Sequence, residues 1–159
     1  MPGATYGRYF EDLEVGQEFR HWPGRTITAF DNMLSSLMCM NQHPVHIDEH
    51  FSKGTQHKQP LVEGPLIISI MIGLSQTDVG GQALAVLEYA DIEHLVPVFH
   101  GDTIYAESTI LKKEELPDQS DRGVICSEIR AINQRGETVV KLRRTIVVPK
   151  RTRENDVRE

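Results

Sequence analysis

The chain has 159 residues, 39% of them hydrophobic, and a formal net charge of −6. That length supports one domain with a real core and requires no second one. The acidic balance, without a basic cluster, argues against a nucleic-acid binder, and the longest apolar run, Leu66 to Leu74 with Ser69 and Gly73 inside it, falls well short of the ~20 residues that cross a bilayer. Cys39 and Cys126 form neither a CxxC nor a zinc-like spacing, and no charged-then-apolar leader precedes Tyr6. A soluble protein in a reducing cytoplasm is the expectation.

In chain order, Leu13 to Phe19 alternates apolar and polar residues around Gly16 and reads as an opening strand with a turn. Trp22-Pro23-Gly24 punctuates, and Arg25 to Thr28 is a short extended feed into a helix. Thr28 suits the N-cap, Asp31 stands three residues on, and Phe30, Met33, Leu34, Leu37 and Met38 recur at helical spacing, which predicts one buried apolar face. Met40 to Glu63 has little periodicity and is long for a connection, a length that signals a functional loop. It carries Asn41, His43, His46, His50 and His57. Gly64 and Pro65 then open a run that is apolar all round. Pro65 suits the first helical position, and a helix without a polar face belongs in the interior. At its N-terminus the amides around Gly64 lack internal partners, and the helix dipole favours an oxyanion there.

After Gly80-Gly81 the sequence turns β-rich: Ala83 to Tyr89, Asp91 to Val98, Thr103 to Leu111, Gly123 to Asn133 and Glu137 to Val148. Asn133 to Glu137 reads as a hairpin loop with Gly136 supplying positive φ, so the last two strands pair antiparallel. The charged tail, residues 150–159, has no apolar partner and is expected to be disordered. Residues 1–149 thus form one α+β domain, a curled antiparallel sheet wrapped around a central apolar helix. That arrangement matches the hot-dog fold.

The histidine spacing at 43, 46 and 50 raises the question of a metal. Pro44 breaks any helix that would align the three, and no second ligand group stands out, so no metal is expected. His50 and His57 read as surface residues. His46 differs, because Pro44 fixes the chain before it and Val45 and Ile47 flank it. A held, partly desolvated imidazole is the usual side chain for moving a proton in either direction. Asn41 can donate and accept hydrogen bonds but does not titrate. Asp48 reads as a cap, Asp102 as a turn residue, and Glu63 as either a pocket wall or a surface carboxylate.

Asn41 to His46, Pro60 to Gly64 and Pro97 to Thr103 together resemble the MaoC-like dehydratases, the (R)-specific enoyl-CoA hydratase family, and their order spans roughly Tyr9 to Val148. The resemblance implies a hot-dog fold, a dimer or higher assembly, an acyl-CoA substrate, and reversible hydration of a trans-2-enoyl thioester without a cofactor. In the family motif, Gly-Asp-x-Asn-Pro-(Leu/Ile/Val)-His, Asp and His activate water and a glycine amide at the start of the central helix binds the thioester oxygen. His46 and Gly64 match the histidine and the glycine amide. Asn41 stands where the family has Asp, His43 where it has Asn, and Met40 where it has Gly. The implied catalytic set is Asn41, His46 and Gly64, with His43, Glu63 and Pro65 around the substrate.

The Asp-to-Asn change leaves three explanations: an inactive protein, a site using His46 alone, or a different substrate. A substrate with its own carboxylate favours a neutral residue at position 41, because like charges repel strongly at low dielectric. The sequence looks closest to the branch that includes mesaconyl-CoA hydratases, whose substrate is a branched dicarboxylic thioester. A hot-dog acyl-CoA thioesterase and a non-catalytic acyl-CoA-binding or dimerisation subunit are the alternatives. Candidate cations for the CoA phosphates are Arg25, Lys53, Lys58, Arg143 and Arg144, of which strand alternation puts the last two on opposite faces.

Overall fold

A computed structural model describes residues 6–151. Strand β1 (Glu18–Thr26) leads into helix α1 (Ala29–Met38), then the short helices α2 (Pro44–Ile47) and α3 (Glu49–Lys53), the long α4 (Gly64–Ser75) and a π-helical turn (Gln76–Gly80). Four strands follow: β2 (Ala85–His94), β3 (Thr103–Glu115), β4 (Arg122–Asn133) and β5 (Thr138–Pro149). They form one sheet in the order β1-β3-β4-β5-β2, with every neighbouring pair antiparallel. The alternation expected of β3 is present, with Ile104, Ala106, Ser108 and Ile110 on the buried face. Helix α4 packs along that face, with Ile67 and Met71 fully inside. Gly136 takes φ 80° in the β4–β5 loop, as its place in the hairpin requires.

Several sequence expectations shift. Trp22-Pro23-Gly24 does not break the chain but forms an irregular step inside β1, where the register with β3 jumps between His21 and Arg25. Because β1 is an edge strand, the missing N–H of Pro23 leaves no ladder bond unmade. The two β-rich runs before and after Ala90 are one strand, β2, kinked where Asp91 adopts φ 50°. The long connection contains α2 and α3 rather than irregular chain alone. Within the tail, Lys150 pairs with Glu115 and Arg151 with Asp12, so these two residues are held against the domain. The rest of the expected disordered tail, 152–159, lies outside the described residues.

The largest correction concerns α1. Its apolar residues share a face, but that face points outward: Phe30 is 71% and Met38 76% exposed, and Met33, Leu34 and Leu37 are exposed as well. The buried residues are Asn32 and Ser36, one turn apart. Periodicity identified which side chains travel together and not which way they face. The predicted cap is present. Thr28 Oγ1 accepts from the Asp31 amide at 3.2 Å, and the Asp31 carboxylate accepts from the Thr28 amide at 2.8 Å. Thr28 Oγ1 also donates to the Asp31 carboxylate at 2.6 Å, and this bond first, then that from the Thr28 amide, holds the Asp31 carboxyl below its ordinary range. Thr28→Ala should therefore cost about 1 kcal/mol, read as a fall of about 2–4 °C in melting temperature for a chain of this size.

Candidate active site

The site starts where α1 ends. Met40 takes φ 57°, a left-handed conformation that reverses the chain and explains why a glycine is at home at that position. The Asn41 amide then returns to the Ser36 carbonyl at 2.8 Å. His43 caps α2, its Nδ1 accepting from the Val45 amide at 3.2 Å, and Pro44 occupies the first turn. One turn of helix brings His46 round to Leu61, whose carbonyl lies 2.9 Å from His46 Nδ1. A carbonyl can only accept, so Nδ1 carries a proton, and in the neutral imidazole the lone pair is then on Nε2. Asp48 caps α3 through the Phe51 amide at 2.9 Å, as read from the sequence.

The loop is tied to the fold by Asn32. Its amide nitrogen lies 3.1 Å from the His46 carbonyl, 2.9 Å from the Leu61 carbonyl and 3.0 Å from His100 Nε2, while its oxygen accepts from the Glu63 amide at 3.0 Å. His100 must be unprotonated at Nε2 to accept. Burial holds its imidazole below the ordinary range, opposed only by the Glu49 carboxylate. On the other side, the Leu61–Glu63 segment runs beside Val98 and Phe99, with the Val62 amide donating to the Val98 carbonyl at 2.9 Å.

Glu63 is fully buried and is no surface carboxylate. Ser35 Oγ donates to one oxygen and Asn41 Nδ2 to the other at 3.0 Å. A carboxyl group therefore sits beside Asn41, and two donors meet its oxygens. Gly64 follows directly and opens α4 without a side-chain cap, so its helix-end amides stay available. His94, from the end of β2, stacks on Gly64: a side chain there would collide with the imidazole, whose Nε2 would stand 2.9 Å from an added Cβ. A cleft of about 220 Å³ opens at this point, lined by Leu61, Gly64, Ile67, His94 and Val96.

Of the predicted residues, Asn41, His46, Glu63 and Gly64 come together through hydrogen bonds or chain adjacency. His43 is exposed with its ring edge-on to His46 at 5.9 Å, and Pro65 is exposed on the first turn of α4. His50 is exposed and His57 rests against Phe99. Among the described residues no three His, Cys, Asp or Glu side chains converge as a metal site, and no helix is long and apolar enough to cross a membrane. Asp102 is the turn residue expected. Burial alone would raise its carboxyl, but hydrogen bonds from Gln134, the Phe99 amide and Arg135 together hold it below its ordinary value.

Asn32, Ser35, His94 and His100 were missed. The only sequence signal was the recurrence of polar residues at 32, 35 and 36 along one edge of a helix, and nothing local marks His94.

A family model of the MaoC like domain matches residues 11–128. Similar proteins include a mesaconyl-CoA hydratase of Cereibacter sphaeroides, 30% identical over 91% of this chain and 42% of that protein. A β-methylmalyl-CoA dehydratase of Chloroflexus aurantiacus is 33% identical over 77% of this chain and 34% of that one. An (R)-specific enoyl-CoA hydratase of Aeromonas caviae is 29% identical over 83% and 97% of the two chains. The chain thus spans less than half the length of the first two relatives and nearly all of the third. Among solved structures, a monoamine oxidase regulatory protein from Archaeoglobus fulgidus superposes with TM-score 0.81 at 27% identity, covering 94% of this chain and 99% of that one. A Mycobacterium tuberculosis protein described as a double hot-dog fold gives TM-score 0.82 at 22% identity, over 92% of this chain and 46% of that one, a likeness of fold. The curled sheet around α4 is a hot-dog domain.

Removing the Asn32 side chain takes this partner from the Glu63 amide, the His46 carbonyl and His100 Nε2, while the Leu61 carbonyl keeps its bond to His46, and each buried group left unmet costs about 1–3 kcal/mol. Asn32→Ala should lower the urea midpoint by an amount worth about 3 kcal/mol or more, with the slope of the transition unchanged.

Proposed function

The chain belongs to the MaoC-like domain family, and from that footing we propose that it is an enoyl-CoA hydratase, adding water reversibly across the double bond of a 2-enoyl-CoA thioester without a cofactor. The observation that carries this reading is the bond from His46 Nδ1 to the Leu61 carbonyl, because it presents Nε2 as a base. Nε2 takes a proton from water as the water oxygen bonds to Cβ. The electrons of the double bond move onto the thioester oxygen, where the Gly64 amide and the α4 dipole stabilise the enolate. The imidazolium then returns its proton to Cα, and one water has been added. Asn41, held by Glu63, orients the water or the substrate. His43 and Pro65 border the entrance.

A branched dicarboxylic thioester such as mesaconyl-CoA is the proposed substrate. The naming of the Cereibacter and Chloroflexus relatives supports this choice. A thioesterase would aim a carboxylate at the thioester carbon, whereas the oxygens of Glu63 are turned to Ser35 and Asn41. For the CoA phosphates, Arg25 is paired with Asp31 and Arg143 with Asp91, while Arg144 is buried. Lys53 and Lys58, exposed on the connection between α1 and α4, are the cations proposed to meet them. A homodimer in the cytoplasm is the proposed state, because edge strand β2 exposes Val86, Leu87 and Ile92, an open edge that a second copy would cover.

The test follows loss of enoyl-thioester absorbance with purified protein, on mesaconyl-CoA and crotonyl-CoA. Turnover of mesaconyl-CoA is expected, with His46→Ala lowering it about 10²- to 10⁴-fold while the melting temperature holds. Unchanged turnover in that variant, or silence of the wild type on both substrates, would sink the hydratase reading. Asn41→Asp sets a second carboxylate against Glu63, and turnover should fall about tenfold or more as the two compete for one proton. Adding Glu63→Gln lets an amide donate to the new carboxylate and should recover most of the loss. If the double variant stays as slow as the single one, Glu63 does not act through Asn41.

A further inference from the structure

The buried residues of the core fall into two clusters. One, around Met71, Ile129 and Leu142, lies under α4, and the other, around Phe19, Val79, Ile125 and Ile146, lies under the π-helical turn. Polar side chains run across the sheet between them. His21 on β1 bonds Asp78 Oδ2 at 2.7 Å through Nδ1 and Ser108 Oγ at 2.7 Å through Nε2, so that end is fully partnered. The other end is not. Ser127 on β4 stands directly opposite Arg144 on β5, which stands directly opposite Tyr89 on β2. Arg144 is 1% exposed and Ser127 is fully buried. Among the described residues, the Nε and Nη2 of Arg144, the Oγ of Ser127 and the Oε1 of Gln76 have no hydrogen-bond partner.

An arginine is almost never buried unless it is paired, and an unpaired interior charge costs several kcal/mol. Here no carboxylate among the described residues reaches it. Burial lowers the tendency of this guanidinium to hold its proton, with Tyr89 opposing that effect. The fold nevertheless accommodates the group with care. Gly80 closes the π-helical turn above it, and a Cβ at that position would stand 3.0 Å from both Nη1 and Nη2 and collide with Gln76 Oε1. π-Helical turns are rare and concentrate at functional sites.

The pattern of unmet donors specifies the ligand class. Nε–H and Nη2–H lie along one edge of the guanidinium and point the same way, at the spacing of the two oxygens of a carboxylate. Ser127 Oγ can donate to one of those oxygens. The Gln76 amide can do so too once turned, since which end of an amide carries the nitrogen is an assignment. A spherical anion uses this edge poorly. We propose that Arg144, Ser127 and Gln76 form a binding site for a carboxylate, beneath the Gln76–Gly80 turn and separate from the His46–Gly64 site. Tyr89, the neighbour of Arg144 on β2, is 42% exposed. The carboxylate comes either from a free small organic acid or from the acyl group of a carboxyacyl thioester.

The test is the melting temperature of the purified full chain at constant ionic strength, with no turnover involved, so its result stands apart from that of the hydratase assay. Acetate and succinate should raise it by about 5 °C or more at a hundredfold excess over Kd, and chloride should not. Arg144→Met, which replaces the charge with an apolar chain of similar length, should melt higher than wild type without ligand and lose the carboxylate response. Ser127→Ala keeps the guanidinium and should weaken the response, which preserves the test if the first variant does not fold. Glutaryl-CoA compared with butyryl-CoA separates the sources. A response to the free acids assigns a site for free carboxylates, and a response to glutaryl-CoA alone assigns the carboxylate to the acyl group. Equal shifts in wild type and Arg144→Met, an equal shift with chloride, or none with any carboxylate would overturn the proposal.

Discussion

One buried amide holds this structure to its chemistry. Asn32 sits on α1, yet its side chain bonds the loop that carries His46, the segment that ends in Gly64, and His100 beyond β2. Nothing else described joins these pieces at one point. The groups it meets are backbone polar atoms and an imidazole, and an unmet hydrogen bond away from water costs more than a made one contributes. The orientation of α1 follows. To bring Asn32, Ser35 and Ser36 inward, the helix turns its apolar side outward, and the exposed Phe30 and Met38 are the consequence.

The same network sets the charges at the site. Leu61 accepts from both Asn32 and His46, using both lone pairs of one carbonyl, so its position fixes the histidine's tautomer. Glu63, read from the sequence as either a pocket wall or a surface carboxylate, is buried beside Asn41, and Asn41 and Ser35 meet both of its oxygens. An Asn at position 41 is therefore what a neighbouring glutamate requires. An Asp there would face Glu63 at hydrogen-bonding distance, and one of the pair would have to hold a proton. This physical reason for Asn41 is independent of the substrate.

Much of this was legible in the sequence where the signal is local. The Thr28 cap, Pro65 in the first turn of α4, the Gly136 hairpin and the Asp48 cap each depend on a few adjacent residues and stand as read. The spacing of Asn41, Pro44 and His46 before Gly64 marked the candidate site, whose residues the fold draws together around Leu61 and Glu63. Features that depend on long-range packing were not legible. Hydrophobic periodicity cannot say whether a helix face meets the core or another surface, so α1 was read the wrong way round. His94 reaches Gly64 only because β2 pairs with β5 at the far edge of the sheet. Strand alternation put Arg143 and Arg144 on opposite faces, but only the order of the strands determines that Arg144 is the one inside.

The division of the core gives the two ends of α4 different tasks. At its N-terminus the helix leaves its first amides without a side-chain cap, and Gly64 there borders a cleft. At its C-terminus the helix widens into a π-turn over a polar belt that separates two apolar clusters. A core built only for stability would fill that belt with aliphatic side chains, as the rows on either side do with Ile129 and Leu142 or Ile125 and Ile146. Arginine at position 144 instead sacrifices packing energy and leaves a directional pair of donors unmet. That cost is understandable when an anionic group completes the belt, and the glycine above the guanidinium gives it room to lie there.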